Sequence, residues 1–257
     1  MMRFASLGSG SKGNALLIEA DGTRLLLDCG FGLKEVTARL FRLGVVPSEL
    51  DAILVTHEHD DHDGGVARLA VRYELPVYLT YGTLVAMGEE GRAIPETVLI
   101  DTSTPFSIGA IEVRPYPVPH DAREPVQFVL SDGATTLGVL TDTGRPTPHI
   151  ARALSGVHAL VLECNHDLSM LLNGPYPAQL KERIAGRLGH LANAASADIV
   201  RAMDCRRLQH VIAAHLSEMN NTPDLARTAL AAALNCEEDW IGVATQEEGF
   251  GWRQILP

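Results

Sequence analysis

The sequence predicts an α/β fold of two related halves, in which two sheets pack face to face and helices lie outside. Three observations indicate this fold. Apolar runs of strand length alternate with helical patterns, and the order strands, helix, strand, helix occurs twice. No linker, low-complexity segment or short-period repeat interrupts the chain. The length of 257 residues suits one large domain or two small ones, with a substantial core.

The first half is predicted to contain a hairpin at Asp21-Gly22, which is a strong two-residue turn signal. A helix follows, with its apolar residues on one face, and ends before Gly44. The predicted elements are strands at 2–7, 15–20, 23–27 and 76–80, a short strand leading to His57, and helices at 33–43, 66–73 and 82–90.

The second half is predicted to repeat this organisation, with a hairpin at Asp132-Gly133. A continuous apolar run at 159–162 indicates a buried strand. The other predicted elements are strands at 106–108, 111–116, 126–130, 135–140, 208–214, 240–244 and 251–255, and helices at 149–154, 177–188, 193–203 and 223–234.

Composition limits the classes of function. The formal net charge is −11, which argues against a sequence-independent grip on nucleic acid through many Lys and Arg contacts, although a local basic strip is compatible with it. No apolar run reaches the length of a membrane span, and the start of the chain lacks the apolar core of a signal peptide. The four cysteines form no C-x-x-C pair, so we expect a reducing cytoplasm. No obligate protein partner is evident, and the oligomeric state is open.

The segment from His57 to His62 carries the pattern H-x-H-x-D-H. Residues two apart in an extended segment point to the same side, so His57, His59 and Asp61 share one face and His62 leaves in another direction. One loop therefore offers ligands to two neighbouring metal positions. Imidazole and carboxylate ligands together suit zinc, iron or manganese better than calcium or magnesium.

Further candidate ligands follow the ends of other apolar runs. Functional side chains tend to lie on loops at one end of a rigid sheet. If these strand ends cluster, the residues that follow them line one cleft. Six apolar runs end in such a residue: Asp28, His57, His120, Asp142, His166 and His215.

In order and context, five features resemble the five motifs of the metallo-β-lactamase superfamily over nearly the whole chain: Asp28, the run from His57 to His62, His120, Asp142 and His215. The resemblance implies a single hydrolase domain over residues 1–257 with a four-layer αβ/βα sandwich and a metal site at the sheet edges. It implies two divalent ions (zinc, manganese or iron). The implied ligands are His57, His59 and His120 for the first ion and Asp61, His62 and His215 for the second, with Asp142 bridging and Asp28 orienting the site.

Other segments are similar to the YycJ/WalJ group of cytoplasmic metallo-hydrolases, which implies a 5′-to-3′ exonuclease on double-stranded DNA. Ala192 departs from the group's usual serine but is not a proposed ligand. The segments that carry the similarity are Ser6–Asn14, Glu163–Asp167, Met170-Leu171, Gly174–Pro177, Leu180–Ile184, Gly189–Asn193 and His215–Asn221.

Catalytic roles follow from the chemistry of phosphodiester hydrolysis. Two divalent ions supply a nucleophile at neutral pH and stabilise charge on the attacking and leaving oxygens. Asp61, with Asp142, is expected to orient the water and accept its proton. His190 is the candidate acid or phosphate contact; the alternative is a loop histidine that caps the following helix.

Substrate contacts are less specific in the sequence. Candidate substrate-binding residues are Ser9, Asn14, Asn165, His166 and Asn220. Asn165 and His166 either contact phosphate or tie loops together. The backbone amides of the Gly-rich turn at 9–14 either cradle an anion or form a plain turn. Lys181, Arg183 and Arg187 either meet a DNA backbone or form a solvated helix face.

Several functions remain open. The leading hypothesis is a dinuclear metal nuclease with DNA as substrate. Hydrolysis of a small metabolite, such as a cyclic phosphate, thioester or lactone, is favoured by the acidic charge. A non-catalytic, metal-stabilised binding module is disfavoured by the complete ligand set, and a redox di-iron site is disfavoured by His62. The short stretch between Asp142 and His215 leaves no room for an inserted domain, which indicates a compact hydrolase.

Overall fold

Two seven-stranded sheets form the centre of the molecule, as described by a computed structural model that covers residues 1–257. The first sheet contains six strands from the first half of the chain and one from its C-terminal end. In chain order they are Met2–Gly8 (β1), Ala15–Ala20 (β2), Thr23–Leu27 (β3), Ala52–Leu54 (β4), Val77–Leu79 (β5), Thr97–Leu99 (β6) and Phe250–Gln254 (β14). Their spatial order is β14-β1-β2-β3-β4-β5-β6.

The second sheet is built from the second half of the chain. Its strands are Phe106–Ile108 (β7), Ile111–Pro117 (β8), Val126–Ser131 (β9), Thr136–Leu140 (β10), Ala159–Glu163 (β11), His210–Ala214 (β12) and Ile241–Val243 (β13). They follow one another across the sheet in chain order. The two halves are therefore similar but not equivalent, because β14 pairs antiparallel with β1 of the other sheet.

Helices cover the outer face of each sheet. The first half contributes Leu33–Arg42 (α1), Asp60–Asp63 (α2), Val66–Tyr73 (α3), Tyr81–Ala86 (α4) and Gly88–Ala93 (α5). The second half contributes Pro148–Leu154 (α6), Leu168–Asn173 (α7), Ala178–Ile184 (α8), Asn193–Ala202 (α9) and Pro223–Leu234 (α10), and two short 3₁₀ turns lie at Pro47–Glu49 and Glu238–Trp240. None of the helices has the length and apolar character needed to span a bilayer.

The core has three apolar layers. Alternate strand residues such as Phe4, Ile18 and Phe128 fill the space between the sheets. Residues of the opposite strand face, such as Leu17 and Leu26, pack beneath the helices. Because both faces of each sheet are covered, the central strands are apolar throughout. The arrangement is helix, sheet, sheet, helix, which confirms the expected αβ/βα sandwich.

Parallel pairing places several strand ends on one edge. β3, β4, β5 and β6 run parallel in the first sheet, and β10, β11, β12 and β13 run parallel in the second. Parallel strands present their carboxyl ends at the same edge, and ligand sites form there. The residues that follow β3, β4, β10, β11 and β12 are thereby brought together.

The structure corrects four details of the sequence prediction. The helix expected at 82–90 is two helices, separated at Gly88, whose φ of +58° breaks the helical backbone. The helix expected at 177–188 ends at Ile184. Its extension is blocked because the chain folds back at Gly189, where a side chain would collide with the carbonyl of Arg183. Strand β6 and helix α7 were not predicted; both are short and partly exposed.

Candidate metal centre

The candidate ligands lie immediately after strand ends, and three of these residues have an unusual backbone. Asp28, Asp142 and His215 have φ values of +60°, +50° and +53°. This left-handed conformation is uncommon for residues other than glycine, and it tends to occur at functional sites that the surrounding structure holds in place. The conformation turns each chain sharply at the sheet edge and directs the side chain into the cleft.

Three histidines form one possible metal-binding group: His57, His59 and His120. His59 Nδ1 lies 3.0 Å from His57 Nε2 and 3.2 Å from His120 Nε2. The outer nitrogen of His120 is 3.1 Å from the carbonyl oxygen of Gly189, to which it can donate. Such a bond fixes the tautomer and leaves the inner nitrogen free for a cation.

Acidic side chains enter on the other side of the centre, where Asp61, His62 and His215 form a second group. Asp61 Oδ2 lies 3.2 Å from His215 Nε2 and 3.5 Å from His62 Nε2. The outer nitrogen of His62 lies 2.8 Å from Asp28 Oδ2. Asp28 also accepts hydrogen bonds from the backbone nitrogen and the hydroxyl of Thr56. Asp28 therefore stands behind His62, as an orienting residue would.

Asp142 lies between these groups, and the surroundings of its carboxylate show whether a cation fits the site. It belongs to one set of potential ligand atoms with His57 and His62 and to another with Glu163, His190 and His215. Its Oδ2 is buried and lies 2.8 Å from His62 Nε2, the nitrogen that would bind a metal. Without a cation, this oxygen depends on a proton at His62 Nε2, since it has no other polar partner. The buried carboxylate and the converging imidazoles fit a divalent cation.

Burial and charge separate the pKa values of the histidines. Burial and the neighbouring His62 hold the pKa of His57 well below its ordinary value, and burial also lowers the pKa of His120. Burial opposes the charged form of His62 as well, but Asp142, Asp61 and Asp28 outweigh it and raise its pKa well above the ordinary value. The acidic side of the centre therefore attracts positive charge more strongly than the histidine side.

His190 contacts this centre through a residue that was missing from the predicted site. Its Nδ1 lies 2.8 Å from Glu163 Oε1 and 3.2 Å from Asp142 Oδ1. Burial opposes protonation, but hydrogen bonds to Asp142 and Glu163 raise the pKa of His190 to about 10. Glu163 is fully buried and also accepts the amide of Thr143. In the sequence, Glu163 follows the apolar run 159–162 and begins the segment Glu163–Asp167, which is similar to the YycJ/WalJ group.

The predicted substrate-binding residues divide into two sets. Asn14 and Ser9 contact the second group directly: Asn14 Nδ2 is 3.3 Å from Asp61 Oδ2, and Ser9 Oγ accepts the amide of His215. Asn165 also contacts that group, because its Nδ2 donates to the His215 carbonyl at 3.1 Å. The structure thus ties these three side chains to proposed ligands.

His166 and Asn220 lie further from the ligands. His166 Nδ1 is 3.3 Å from Asn165 Oδ1, and burial together with His190 lowers the pKa of His166 to about 4. Asn220 is buried beside Ser217, and its backbone carbonyl accepts the amide of Asp167. It makes no hydrogen bond to the proposed ligands.

The Gly-rich turn does not form the anion cradle considered from the sequence. Five of its six amides, all except that of Ser11, already donate to acceptors within the protein, so they are not available to a bound phosphate. The acceptors are Thr245 O for Ser9, Asn14 Oδ1 for Gly10, Gln246 Oε1 for Lys12, Gly10 O for Gly13 and Asp61 O for Asn14.

Among the basic residues near α8, Arg183 is linked to the described centre by its ion pair with Asp121. Arg183 Nε donates to Asp121 Oδ2 at 2.7 Å, and Asp121 Oδ1 lies 3.5 Å from His120 Nε2. Its side chain remains half exposed. Lys181 instead donates to the carbonyl of Leu172. One cation therefore lies at the entrance to the cleft.

Comparison with known proteins identifies the family. A model of the β-lactamase superfamily domain matches residues 23–215. Exodeoxyribonuclease YycJ of Bacillus anthracis is 34% identical over 252 residues, covering 97% of this chain and 91% of that protein. Exodeoxyribonuclease WalJ of Streptococcus pneumoniae serotype 2 is 31% identical over 246 residues, covering 94% of this chain and 91% of the relative.

The fold comparison agrees. The crystal structure of the metallo-β-lactamase fold protein YhfI from Bacillus subtilis has a TM-score of 0.74 and 18% identity, with 98% of each chain covered. The resemblance noted from the sequence motifs is confirmed. The chain belongs to the β-lactamase superfamily and is a metal-dependent hydrolase.

Proposed function

We propose that this protein is a dinuclear metal-dependent nuclease that degrades double-stranded DNA from the 5′ end. The observation that carries the proposal is the joining of two ligand groups by one buried carboxylate, Asp142, with His190 beside it. Two relatives of nearly the same length, named exodeoxyribonucleases, support DNA as the substrate. The four cysteines are free, which agrees with action in a reducing cytoplasm.

Each ion has its own set of ligands in this proposal. The first ion would be held by His57, His59 and His120 and the second by Asp61, His62 and His215, with Asp142 available to both. This mixture of imidazole and carboxylate suits zinc, manganese or iron. Two divalent ions supply a nucleophile at neutral pH and neutralise charge on the attacking and leaving oxygens.

Two side chains are assigned to proton transfer in this proposal. Asp61 would orient the attacking water and accept its proton, since its carboxylate lies at the centre and is ionised: His62 and His215 lower its pKa against the effect of burial. His190 is the proton donor in this proposal, because Glu163, which is not a proposed ligand, lies 2.8 Å from its Nδ1 and favours the charged imidazolium. It therefore donates a hydrogen bond or a proton to the oxygen that leaves the phosphate.

Arg183 provides a contact outside the reacting centre. Its guanidinium lies at the entrance to the cleft and is half exposed, so it can turn from Asp121 to a DNA phosphate. The net charge of −11 leaves little general attraction for DNA, and recognition must therefore be concentrated near the cleft.

The test uses duplex DNA labelled at either the 5′ or the 3′ end, with manganese- or zinc-loaded protein. We expect the 5′ label to be released early as short product while the 3′ label stays on long fragments. The Asp61→Ala/His62→Ala double mutant should be inactive. His210→Ala is the matched control, because His210 lies at the start of β12 and bonds to the Gln254 carbonyl.

A small-substrate hydrolase gives a different result. It would hydrolyse bis(4-nitrophenyl) phosphate in a metal-dependent way and leave every form of DNA intact. That outcome would refute the nuclease proposal and favour a small phosphodiester as the substrate.

A further inference from the structure

The buried turn at 9–14 contacts only one of the two proposed metal positions. Ser9 and Asn14 are buried, and the turn binds no anion through its amides. We propose that Ser9 and Asn14 are positioning residues that set the affinity of the second metal position and leave the first unaffected. This inference rests on the two-ion centre of the proposed function.

Asn14 presents its amide nitrogen to two ligands of the second position. Its Nδ2 donates to the Gly10 carbonyl at 3.0 Å and also lies 3.3 Å from Asp61 Oδ2 and 3.1 Å from His62 Nε2. Its Oδ1 is occupied by the Gly10 amide and the Ser9 hydroxyl, so the side chain cannot turn over without losing both bonds. The amide nitrogen is therefore fixed toward Asp61 and His62.

Asn14 also holds the backbone of Asp61. The Asn14 amide donates to the Asp61 carbonyl at 2.8 Å, and Nδ2 approaches the same oxygen at 3.2 Å. Besides the histidines of the centre, Asn14 is the one side chain that hydrogen-bonds the Asp61 carboxylate. Its loss frees the orientation of that carboxylate.

Ser9 connects the turn to the third ligand. The His215 amide donates to Ser9 Oγ at 2.9 Å, and this hydroxyl donates to Asn14 Oδ1 at 3.2 Å. The bond holds His215 in its left-handed backbone conformation, with φ of +53°. One Ser–Asn pair thus restrains Asp61 and His215, two of the three ligands of the second position.

The first position has different supports. His57 Nδ1 is 2.9 Å from Thr56 Oγ1, and His120 Nδ1 is 3.1 Å from the Gly189 carbonyl. Neither Ser9 nor Asn14 makes a hydrogen bond to His57, His59 or His120. The effect of the turn should therefore be confined to one ion.

The turn has anchors that do not depend on Ser9 or Asn14. Gln246 Oε1 accepts the Lys12 amide at 2.8 Å, and Gln246 Nε2 donates to the Gly13 carbonyl at 2.9 Å. These bonds tie the turn to the C-terminal loop. Replacing one of the positioning side chains should leave the path of the turn in place.

The test measures metal binding and not turnover. Metal-free protein is titrated with Mn²⁺ by calorimetry, and bound manganese per chain is measured directly. In Asn14→Ala we expect the second ion to bind about 10- to 100-fold more weakly, the usual effect of losing a partner of a metal ligand. The first ion should bind as in the wild type, and Ser9→Ala should show a smaller loss at the second ion.

Two controls make the result specific. Ser11→Ala changes an exposed residue of the same turn whose hydroxyl makes no hydrogen bond, and it should bind both ions normally. His59→Ala removes a ligand of the first position only and so identifies which binding event belongs to which ion. If Asn14→Ala fails to fold, Ser9→Ala decides the question.

The possible failures are distinguishable. Two-ion binding that is unchanged in Asn14→Ala and Ser9→Ala, or that weakens equally at both positions, would overturn the positioning role and leave the two-ion centre intact. A wild-type protein that binds a single ion would overturn the two-ion centre and, with it, this inference.

Discussion

The two proposed metal positions differ in their ligands and in their support. The first consists of three histidines, His57, His59 and His120, whereas the second contains the carboxylate of Asp61 besides two histidines. Exposure does not separate them, since one ligand of each is partly exposed: the His59 side chain at 29% and the Asp61 side chain at 24%. Asp142 lies between the two positions.

The difference shows where a centre of this kind needs rigidity. Neutral imidazoles do not repel one another strongly, so single acceptors behind His57 and His120 suffice to hold them. Carboxylates repel when they crowd together, and in a buried site this repulsion is weakly screened. The acidic position accordingly has hydrogen-bond donors from several parts of the chain. They include Asn14, which contacts Asp61, and the Thr56 amide, which donates to Asp28.

The largest effects should come from removing a ligand that belongs to one position alone. His59→Ala and Asp61→Ala should each reduce bound metal from two ions to one. Each should lower kcat more than about 1000-fold, since an ion stabilises charge in the transition state by several kcal/mol. Metal analysis together with phosphodiester turnover checks this. A double loss of metal in His59→Ala would show that the positions are not separable.

The next effect concerns His190, which lies on the acidic side. His190→Ala should lower kcat on DNA by about 100- to 10,000-fold, the usual contribution of a general acid, while both ions remain bound. The loss should be much smaller with a 4-nitrophenyl ester, because that leaving group needs no proton. Glu163→Gln should behave in the same direction, since it removes the charge that holds His190 protonated. An equal loss with both substrates would contradict the acid role.

Asp28 tests the support behind His62. Asp28→Asn should weaken binding of the second ion by about 10- to 100-fold, because a neutral amide no longer favours the correct orientation and charge of His62. The first ion should bind normally, as calorimetric titration will show. Asp132→Asn is a matched control in the turn between β9 and β10, at the opposite end of β10 from Asp142. A greater loss of affinity for the first ion than for the second would show that Asp28 supports the first metal position instead.

The smallest effect should come from Arg183, at the entrance to the cleft. Because its ion pair with Asp121 is exposed, Arg183→Ala should change the free energy of unfolding by less than about 1 kcal/mol. The KM for duplex DNA should rise several-fold and depend less on salt, while turnover of a small phosphodiester stays constant. Steady-state kinetics at two salt concentrations measures this. An unchanged KM for DNA would remove Arg183 from the substrate surface.

The sequence predicted the parts of the fold that depend on periodicity. Leu33–Arg42 and Val66–Tyr73 were predictable because apolar residues recur on one face, and the hairpin at Asp21-Gly22 because of its turn residues. The strand Thr97–Leu99 was not predictable, since three residues with one partly buried side chain show no periodicity. The break at Gly88 depends on its left-handed backbone, which its sequence context does not reveal.

The site was predictable for a different reason. The pattern from His57 to His62 predicts metal ligands within one loop. The resemblance to the metallo-β-lactamase superfamily adds His120, Asp142 and His215. Glu163 is not among the predicted site residues, because an acidic residue at the end of an apolar run has no distinctive pattern. Its contact with His190, 27 residues away, is visible only in the folded chain. The substrate-binding role of Ser9 and Asn14 stays a prediction, and only the folded chain shows that they face Asp61 and His215.

The most direct test of the two-position account follows metal binding and catalysis in one titration. Metal-free protein receives Mn²⁺ in steps, with bound manganese and release of the 5′ label from duplex DNA measured at each step. The account predicts little release while one ion is bound and a steep rise as the second position fills, and in Asn14→Ala this rise should move to higher Mn²⁺. Full nuclease activity with a single bound ion would contradict it.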